Sequence, residues 1–412
     1  MTSPVNRGQP SRVVAERLPV GPLAIAGIGV LLVSMAAFFR VSLLPSIGDE
    51  LSLSAADLGV LTMAFGIGRL LTDLPAGRFA DRAAPGTAFA AAGALVAAGS
   101  FALAAARTGV QADAAAFALG IGSSIANTTG MTVFSHVPHG RRGTAMAIFS
   151  ACLLGGQSFG PVLAGGFSAL GSWRTAEIAA GVLGLGTLGL LLARGRLTRE
   201  RGDAGPSAPQ RRDAAGAVRL VERVVLYGIS FVVFFTLAAM PQTLVPIIGA
   251  DAFGLGAGAI GLALGLAGIC RFAGALTGGV VSDHLGRKAA LVPGLALNAV
   301  GIALLAIDGG VWLWVVGIVL MSLGSFGVSV AATILADQSR SGGVGRRLGR
   351  FRFYGDLGVI AGPAIAGALF SYAGRGAAVL VVAAFPAVLA LAAALVLTET
   401  RRMAGPPFEM EA

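Results

Sequence analysis

The stretch Phe65–Asp81, FGIGRLLTDLPAGRFAD, decides the fold. It is an apolar run that holds Arg69, then Asp73 one helical turn on, then Pro75 and Gly77, and it leaves at Asp81-Arg82. The same plan returns as Leu266–Asp283, LAGICRFAGALTGGVVSD. Gly66, Ile67, Arg69, Gly77 and Asp81 recur as Gly268, Ile269, Arg271, Gly279 and Asp283, each 202 residues later. A second block keeps that offset: Gly156, Gly160, Pro161 and Gly165 of GQSFGPVLAGG recur as Gly358, Gly362, Pro363 and Gly367 of GVIAGPAIAGA. Glycine and proline matches alone are weak in a chain with 62 Gly. Two separate blocks at one offset, with Arg and Asp in place, mark two halves of one duplicated unit.

Composition names the solvent. Charged residues are 12% of the 412 and apolar residues 55%, against about 25% charged in ordinary soluble domains. Such a chain cannot cover a water-facing surface, so its surroundings are largely lipid. The net charge of +10 does not point to nucleic acid, because the cations sit in short loops between apolar runs and no aromatic stacking platforms accompany them. Cys152 and Cys270 fall inside apolar runs, which excludes a disulfide framework. Two cysteines and three loop histidines, His136, His139 and His284, offer no metal set, and no cofactor is expected. The basic N-terminal segment precedes an apolar run too long for a cleaved leader, so that run is expected to remain as a span.

A bilayer core takes about 20 apolar residues per helix. Runs of that length fall near 20–45, 55–77, 86–106, 112–134, 143–168 and 175–193, and again near 224–248, 257–280, 289–307, 311–335, 353–373 and 376–398. The expected fold is an all-α membrane protein with twelve transmembrane helices in two pseudo-symmetric six-helix bundles. Gly and Ala within the runs let helices approach closely in lipid. No sustained period-two alternation supports a barrel. The domains read as 1–193, an N-terminal bundle; 194–223, a charged Gly/Pro/Ser-containing cytoplasmic linker; and 224–412, a C-terminal bundle with a short tail. If the N-terminus is cytoplasmic, twenty-four Arg and Lys lie on that side and only Arg107, Arg174 and Arg375 on the other. The asymmetry places both termini in the cytoplasm of a cell membrane. Arg and Ala richness suggests a GC-rich bacterial source.

Twelve spans in two similar halves, joined by a basic linker, resemble the major facilitator superfamily. The family's loop between its second and third helices reads Gly-x-x-x-Asp-Arg/Lys-x-Gly-Arg-Arg/Lys. Gly77, Asp81 and Arg82 match it, with Ala84, Pro85 and Gly86 in place of the last glycine and basic pair. The second copy matches at Gly279, Asp283, Gly286, Arg287 and Lys288, with His284 at the first basic position. The resemblance implies that Asp81 braces the start of the eleventh span and Asp283 that of the fifth, as gating contacts. Carboxylates are favoured at helix N-termini. The series Gly156, Gly160, Pro161, Ala164, Gly165 in the fifth span is similar to a motif of the family's antiporters, drug exporters included. Its helix-packing reading is shared by Gly358, Gly362, Pro363 and Gly367. The exporters' fourth-span arginine is absent: Ala116 stands four residues before Gly120.

An ionisable residue deep in a span costs about 2.5–3.5 kcal/mol, so a function or a partner is expected for it. Arg69 and Arg271 occupy equivalent places in the two halves, and a guanidinium suits a planar anion. They are expected to hold an anionic substrate; the alternative is that each caps carbonyls or pairs between helices. Asp73, four residues after Arg69, shares its helix face. It is either a static partner of Arg69 or the proton-coupling carboxylate, being the only acid placed well inside a span. Arg40 either snorkels to the interface or lines the outer entrance. Asn127 and Gln242 offer hydrogen bonds to substrate, with Thr128, Thr129 and Thr243 beside them. Arg352 and Asp356 repeat the four-residue spacing and are expected at the inner gate near Asp81-Arg82.

The expected function is secondary active transport of a small acid-bearing solute by alternating access, with proton-coupled export of drugs or metabolites as the alternative. No Walker-type phosphate loop, nucleophile–base pair or metal cluster argues for an enzyme. A membrane sensor or scaffold would need a partner-binding domain or long tail, and neither is visible. The expected partners are the solute, a coupling proton and the bilayer, with no nucleic acid, and the chain is expected to be monomeric.

Overall fold

The computed structural model describes residues 20–82, 84–135, 137, 142–191, 220–327, 330, 331, 334 and 344–397. Among these residues every regular element is helical. The N-terminal half comprises α1 (Val20–Phe38), α2 (Arg40–Leu51), α3 (Ala55–Arg82), α4 (Pro85–Ala105), α5 (Gly109–Ser135), α6 (Arg142–Ala169) and α7 (Trp173–Gly186). The C-terminal half comprises α8 (Leu220–Ala239), α9 (Val245–Phe253), α10 (Ala257–His284), α11 (Arg287–Leu304), α12 (Gly310–Leu323) and α13 (Val344–Val396). α1 and α2 form one rod broken at Phe39, and a π turn, Met240–Leu244, joins α8 to α9. Gly374, at φ 79°, divides α13 into two helices. Counted as rods, the described residues form twelve, six per half, and eight of the helices are long and apolar enough to cross a membrane. The linker 194–223 falls outside the described residues up to Leu220, where α8 begins.

Local chemistry sets the ends. Ser54 and Asp57 make a capping box before α3: the Asp57 carboxylate accepts from the Ser54 N–H at 2.9 Å, and Ser54 Oγ accepts from the Asp57 N–H at 3.2 Å. Ser172 caps α7 by accepting from the Thr175 N–H. Pro241 explains the π turn. Lacking an N–H, it leaves the Leu237 carbonyl, four residues back, without its helical donor. The Gln242 side-chain amide donates to that carbonyl at 3.5 Å, and Thr243 Oγ1 donates to the Ala238 carbonyl at 3.0 Å.

One arginine per half ties the loops of the face opposite the termini. Arg174, at the start of α7, pairs with Glu50 at 2.9 Å, stacks on Trp173 at 4.4 Å and donates to the Ala104 carbonyl that ends α4. Arg375, just past Gly374, pairs with Asp308 at 2.7 Å and donates to the Ile307 carbonyl after α11 at 3.0 Å.

The duplicated glycine blocks build both the halves and the joints between them. Within the N-terminal half, Gly156 and Gly160 of α6 face the Leu31 and Met35 carbonyls of α1. A Cβ there would stand 2.7 and 2.4 Å from those oxygens. Within the C-terminal half, Gly358 and Gly362 of α13 face the Phe231 and Phe235 carbonyls of α8 at 2.3 and 2.5 Å. Two seams join the halves, α3 against α13 and α6 against α10. A Cβ on Gly59 would lie 2.4 Å from the Pro363 oxygen, and one on Gly261 2.3 Å from the Pro161 oxygen. Both members of that pair of contacts shift by 202, so the seams obey the repeat. Gly165 against Ala257 and Gly367 against Ala55 extend each seam toward the clamped face.

A side chain at either seam glycine must push backbone from backbone, which close-packed helices resist. Gly59→Val and Gly261→Val are therefore expected to pry open the face opposite the termini. With Cys152 and Cys270 replaced by Ser, a Val41→Cys probe should be labelled several-fold faster by an impermeant maleimide applied at that face. An unchanged rate would show that the seams do not control access.

Candidate functional site

A small central cavity forms where both halves contribute. Phe38, Val41, Gln157, Ser158 and Pro161 come from the N-terminal half, and Leu237, Pro241, Gln242, Leu264 and Arg271 from the C-terminal half. A second cavity on the far side of Arg271 is lined by Thr236, Asn298, Ser322 and Ser325 among apolar neighbours. Each holds about 20 Å³, room for roughly one water, so the site is contracted in this conformation. Among the described residues Arg271 has no ion pair and no hydrogen bond. Gln242 reaches the same cavity because the π turn carries it there, and such turns recur at functional positions. Its amide nitrogen is engaged with Leu237, which leaves its oxygen to face a ligand.

Arg69, equivalent to Arg271 by sequence, has different surroundings. It sits on α3 among Asp73, Arg352 and Asp356, with two charges from each half across the α3–α13 seam. Asp73 accepts from Ser124 Oγ of α5 and faces Arg352 Nη2 across the seam at 3.7 Å. Asp73 is thus not the ion-pair partner of Arg69 among the described residues. Asp356 completes a group of two cations and two anions, whose net charge is zero. Arg352 is half exposed, and its Nη1 also touches Met131 Sδ of α5 at 3.9 Å. The Asp73 oxygen that faces it is buried.

Arg40 neither snorkels nor lines an opening, because it is 0% exposed inside the N-terminal half. Its guanidinium lies 4.2 Å over the Phe65 ring, and Glu177 of α7 is its nearest opposite charge. Glu177 is also 0% exposed. Among the described residues none of the three guanidinium nitrogens has a hydrogen-bond partner, and the Ser100 hydroxyl is the polar group beside the Glu177 carboxylate. Asp73 is therefore not the only buried acid. Sequence reasoning missed Glu177, a lone acid near the start of the apolar run 175–193.

Asn127 is buried on α5, and neither cavity touches it. The second gating loop folds on itself: Arg287 donates to Asp283 at 2.7 Å and to Ser282 at 2.9 Å, and the Asp283 side chain is 71% exposed. Gly279 is open to its surroundings, and Lys288 follows Arg287 in the first turn of α11. The helix backbone of α3 carries Gly77, Asp81 and Arg82, whose side chains lie outside the described residues.

A family model described as Major Facilitator Superfamily matches residues 26–258 and again 226–411. The tetracycline resistance protein, class C, of Escherichia coli is 29% identical over 237 residues, 56% of this chain and 59% of that protein. The class G protein of Vibrio anguillarum is 28% identical over 253 residues, 60% of this chain and 62% of that protein. The chain thus spans about three fifths of the length of the curated relatives it matches. A crystal structure of a bacterial homolog of the human lysosomal transporter Spinster, inward-facing and unoccupied, superposes with a TM-score of 0.72 at 15% identity. That superposition covers 92% of this chain and 97% of the other.

Removing one member of a buried charge pair leaves the other uncompensated, at a cost of about 3–5 kcal/mol. Arg40→Met alone and Glu177→Leu alone are each expected to lower the thermal midpoint in detergent by several degrees. The double variant should recover most of the loss. If the single changes cost nothing, the two charges do not balance each other.

Proposed function

The chain belongs to the major facilitator superfamily, and from that premise we propose that it moves an acid-bearing solute across a bilayer by alternating access, with Arg271 holding the acid. Transport rather than catalysis follows from the family and the fold. Arg271 carries the finer reading: it is a cation with no ion pair among the described residues, in a cavity shared by both halves. A guanidinium in that state gains most from an anion that forms two parallel hydrogen bonds. Gln242 adds an acceptor for a hydroxyl or amine on the solute. Phe38 and Pro241 supply apolar wall.

Arg69, Asp73, Arg352 and Asp356 serve as the gate on the α3–α13 seam. Asp73 is the proton-coupling candidate within it. A proton on Asp73 removes its attraction for Arg352 and lets the two halves part there, while the glycine seams give the surfaces on which they rock. Asp81, Arg82, Asp283, Arg287 and Lys288 act at the same end, where the loops hold twenty-four of the thirty cations. That charge bias supports cytoplasmic termini. Asn127 and Arg40 are placed as supports of the N-terminal half rather than as solute contacts.

Proton-coupled export of drugs or metabolites is the second reading. The glycine series of α6 and the two tetracycline-resistance relatives support it. The readings differ in what Arg271 does. In vesicles with an anion panel, with and without a pH gradient, Arg271→Gln is expected to slow anion transport about ten- to a hundredfold, as loss of a charge-assisted contact of about 1.5–3 kcal/mol predicts. Unimpaired efflux of neutral or cationic compounds by Arg271→Gln, with no anion transport by the parent protein, would favour export. Asp73→Asn should abolish proton-driven accumulation while leaving exchange down a gradient. Accumulation that survives would remove Asp73 from the coupling.

A further inference from the structure

A wider cavity lies beside the central site. It holds about 490 Å³ between α6 and α10, within the usual range of small-molecule sites of about 300–1,000 Å³. Its walls are apolar: Leu154, Phe159 and Val162 from α6, and Leu266, Ile269 and Phe272 from α10. From Ala151 to Val162 it runs roughly 16 Å along α6 at 1.5 Å per residue. Ser158 lines both this groove and the cavity of Arg271. Gly268 makes the junction narrow but passable to small rearrangement. A Cβ there would fall 1.7 Å from Ser158 Oγ, so any larger residue would fill the space between α6 and α10 at that point.

We propose that the groove and the Arg271 cavity form one site for an amphipathic monoanion, whose acidic head meets Arg271 and whose apolar tail lies between α6 and α10. This rests on the reading of Arg271 given above. Two features point to this occupant. The groove offers hydrocarbon and a single hydroxyl, so it suits a tail and no polar body. The adjoining cation has no ion pair among the described residues, so it suits one negative group. Apolar walls add little affinity over lipid itself, because lipid tails are as apolar as leucine. The head contact at Arg271 is therefore what separates a bound molecule from surrounding lipid. The groove's part is to keep the tail in an apolar phase while the head reaches the centre of the protein, so the solute arrives from the bilayer and not from water.

The test uses the full chain in phosphatidylcholine vesicles with tryptophan at the groove wall, Leu266→Trp, and Ile269→Trp as a second position. Dodecanoate brominated at its chain end is the probe. It should quench the new tryptophan saturably, plain dodecanoate should displace it, and Arg271→Gln should weaken the effect about tenfold or more. Gly268→Val, which narrows the junction, should slow dodecanoate transport several-fold more than it slows transport of butyrate, which has no tail to place. Non-saturating quenching that matches brominated phosphatidylcholine and ignores Arg271→Gln would mean surrounding lipid only and would overturn the proposal. Arg271-dependent butyrate transport with no saturable tail quenching would overturn the groove and keep the anion reading. No Arg271-dependent response to either acid would overturn both.

Discussion

The structure depends on bare backbone meeting bare backbone. At Gly59–Pro363 and Gly261–Pro161 the two halves approach so closely that a methyl group on either glycine would strike a carbonyl oxygen. In lipid, helices gain little from excluding apolar solvent, so close van der Waals contact must hold them together. Side chains meet there too: Val359 and Ile360 lie against Gly66, and Val162 against Gly265. The seams hold the halves at a fixed distance. Stiffness is supplied elsewhere, by Arg174 and Arg375, which tie the loops within each half.

Charge is distributed to match. Arg40 and Glu177 lie near each other, both fully buried, inside the N-terminal half. Two cations and two anions meet on the α3–α13 seam, and the pair that bridges it is long, with its arginine half exposed. Among the described residues Arg271 has no ion pair, in a cavity wall that both halves help to build. Three arginines within the spans thus have three different surroundings, and only neighbouring residues tell them apart.

Much of this was legible in the chain. The offset of 202 residues announced the duplication, and the seam contacts keep it. Apolar length located the long apolar helices, because lipid demands a minimum that composition displays directly. The two glycine blocks announced close packing, though only the fold separates Gly156 and Gly160, which pack within a half, from Gly165, which reaches across. The charges were harder. Repeat symmetry paired Arg69 with Arg271, yet α3 brings a carboxylate four residues on and α10 brings none, so equivalent positions acquired different surroundings. Four-residue spacing joined Asp73 to Arg69, whereas rotamer and seam geometry turn Asp73 to Arg352 and Ser124. The π turn was visible only as Pro241, and nothing in the chain indicated that its cost in lost helical bonds would aim Gln242 at the cavity.

The lone charge of Arg271 also has an electrical meaning. A unit charge that crosses a membrane potential exchanges about 2.3 kcal/mol per 100 mV. The balanced group at the seam swings through the field almost without work. On the proposed reading, Arg271 brings to the centre one positive charge without an ion pair among the described residues, and a bound monoanion cancels it. Voltage would then bear on the return of the unloaded carrier and barely on the passage of the loaded one, which would make resetting the step that a polarised cell drives or resists.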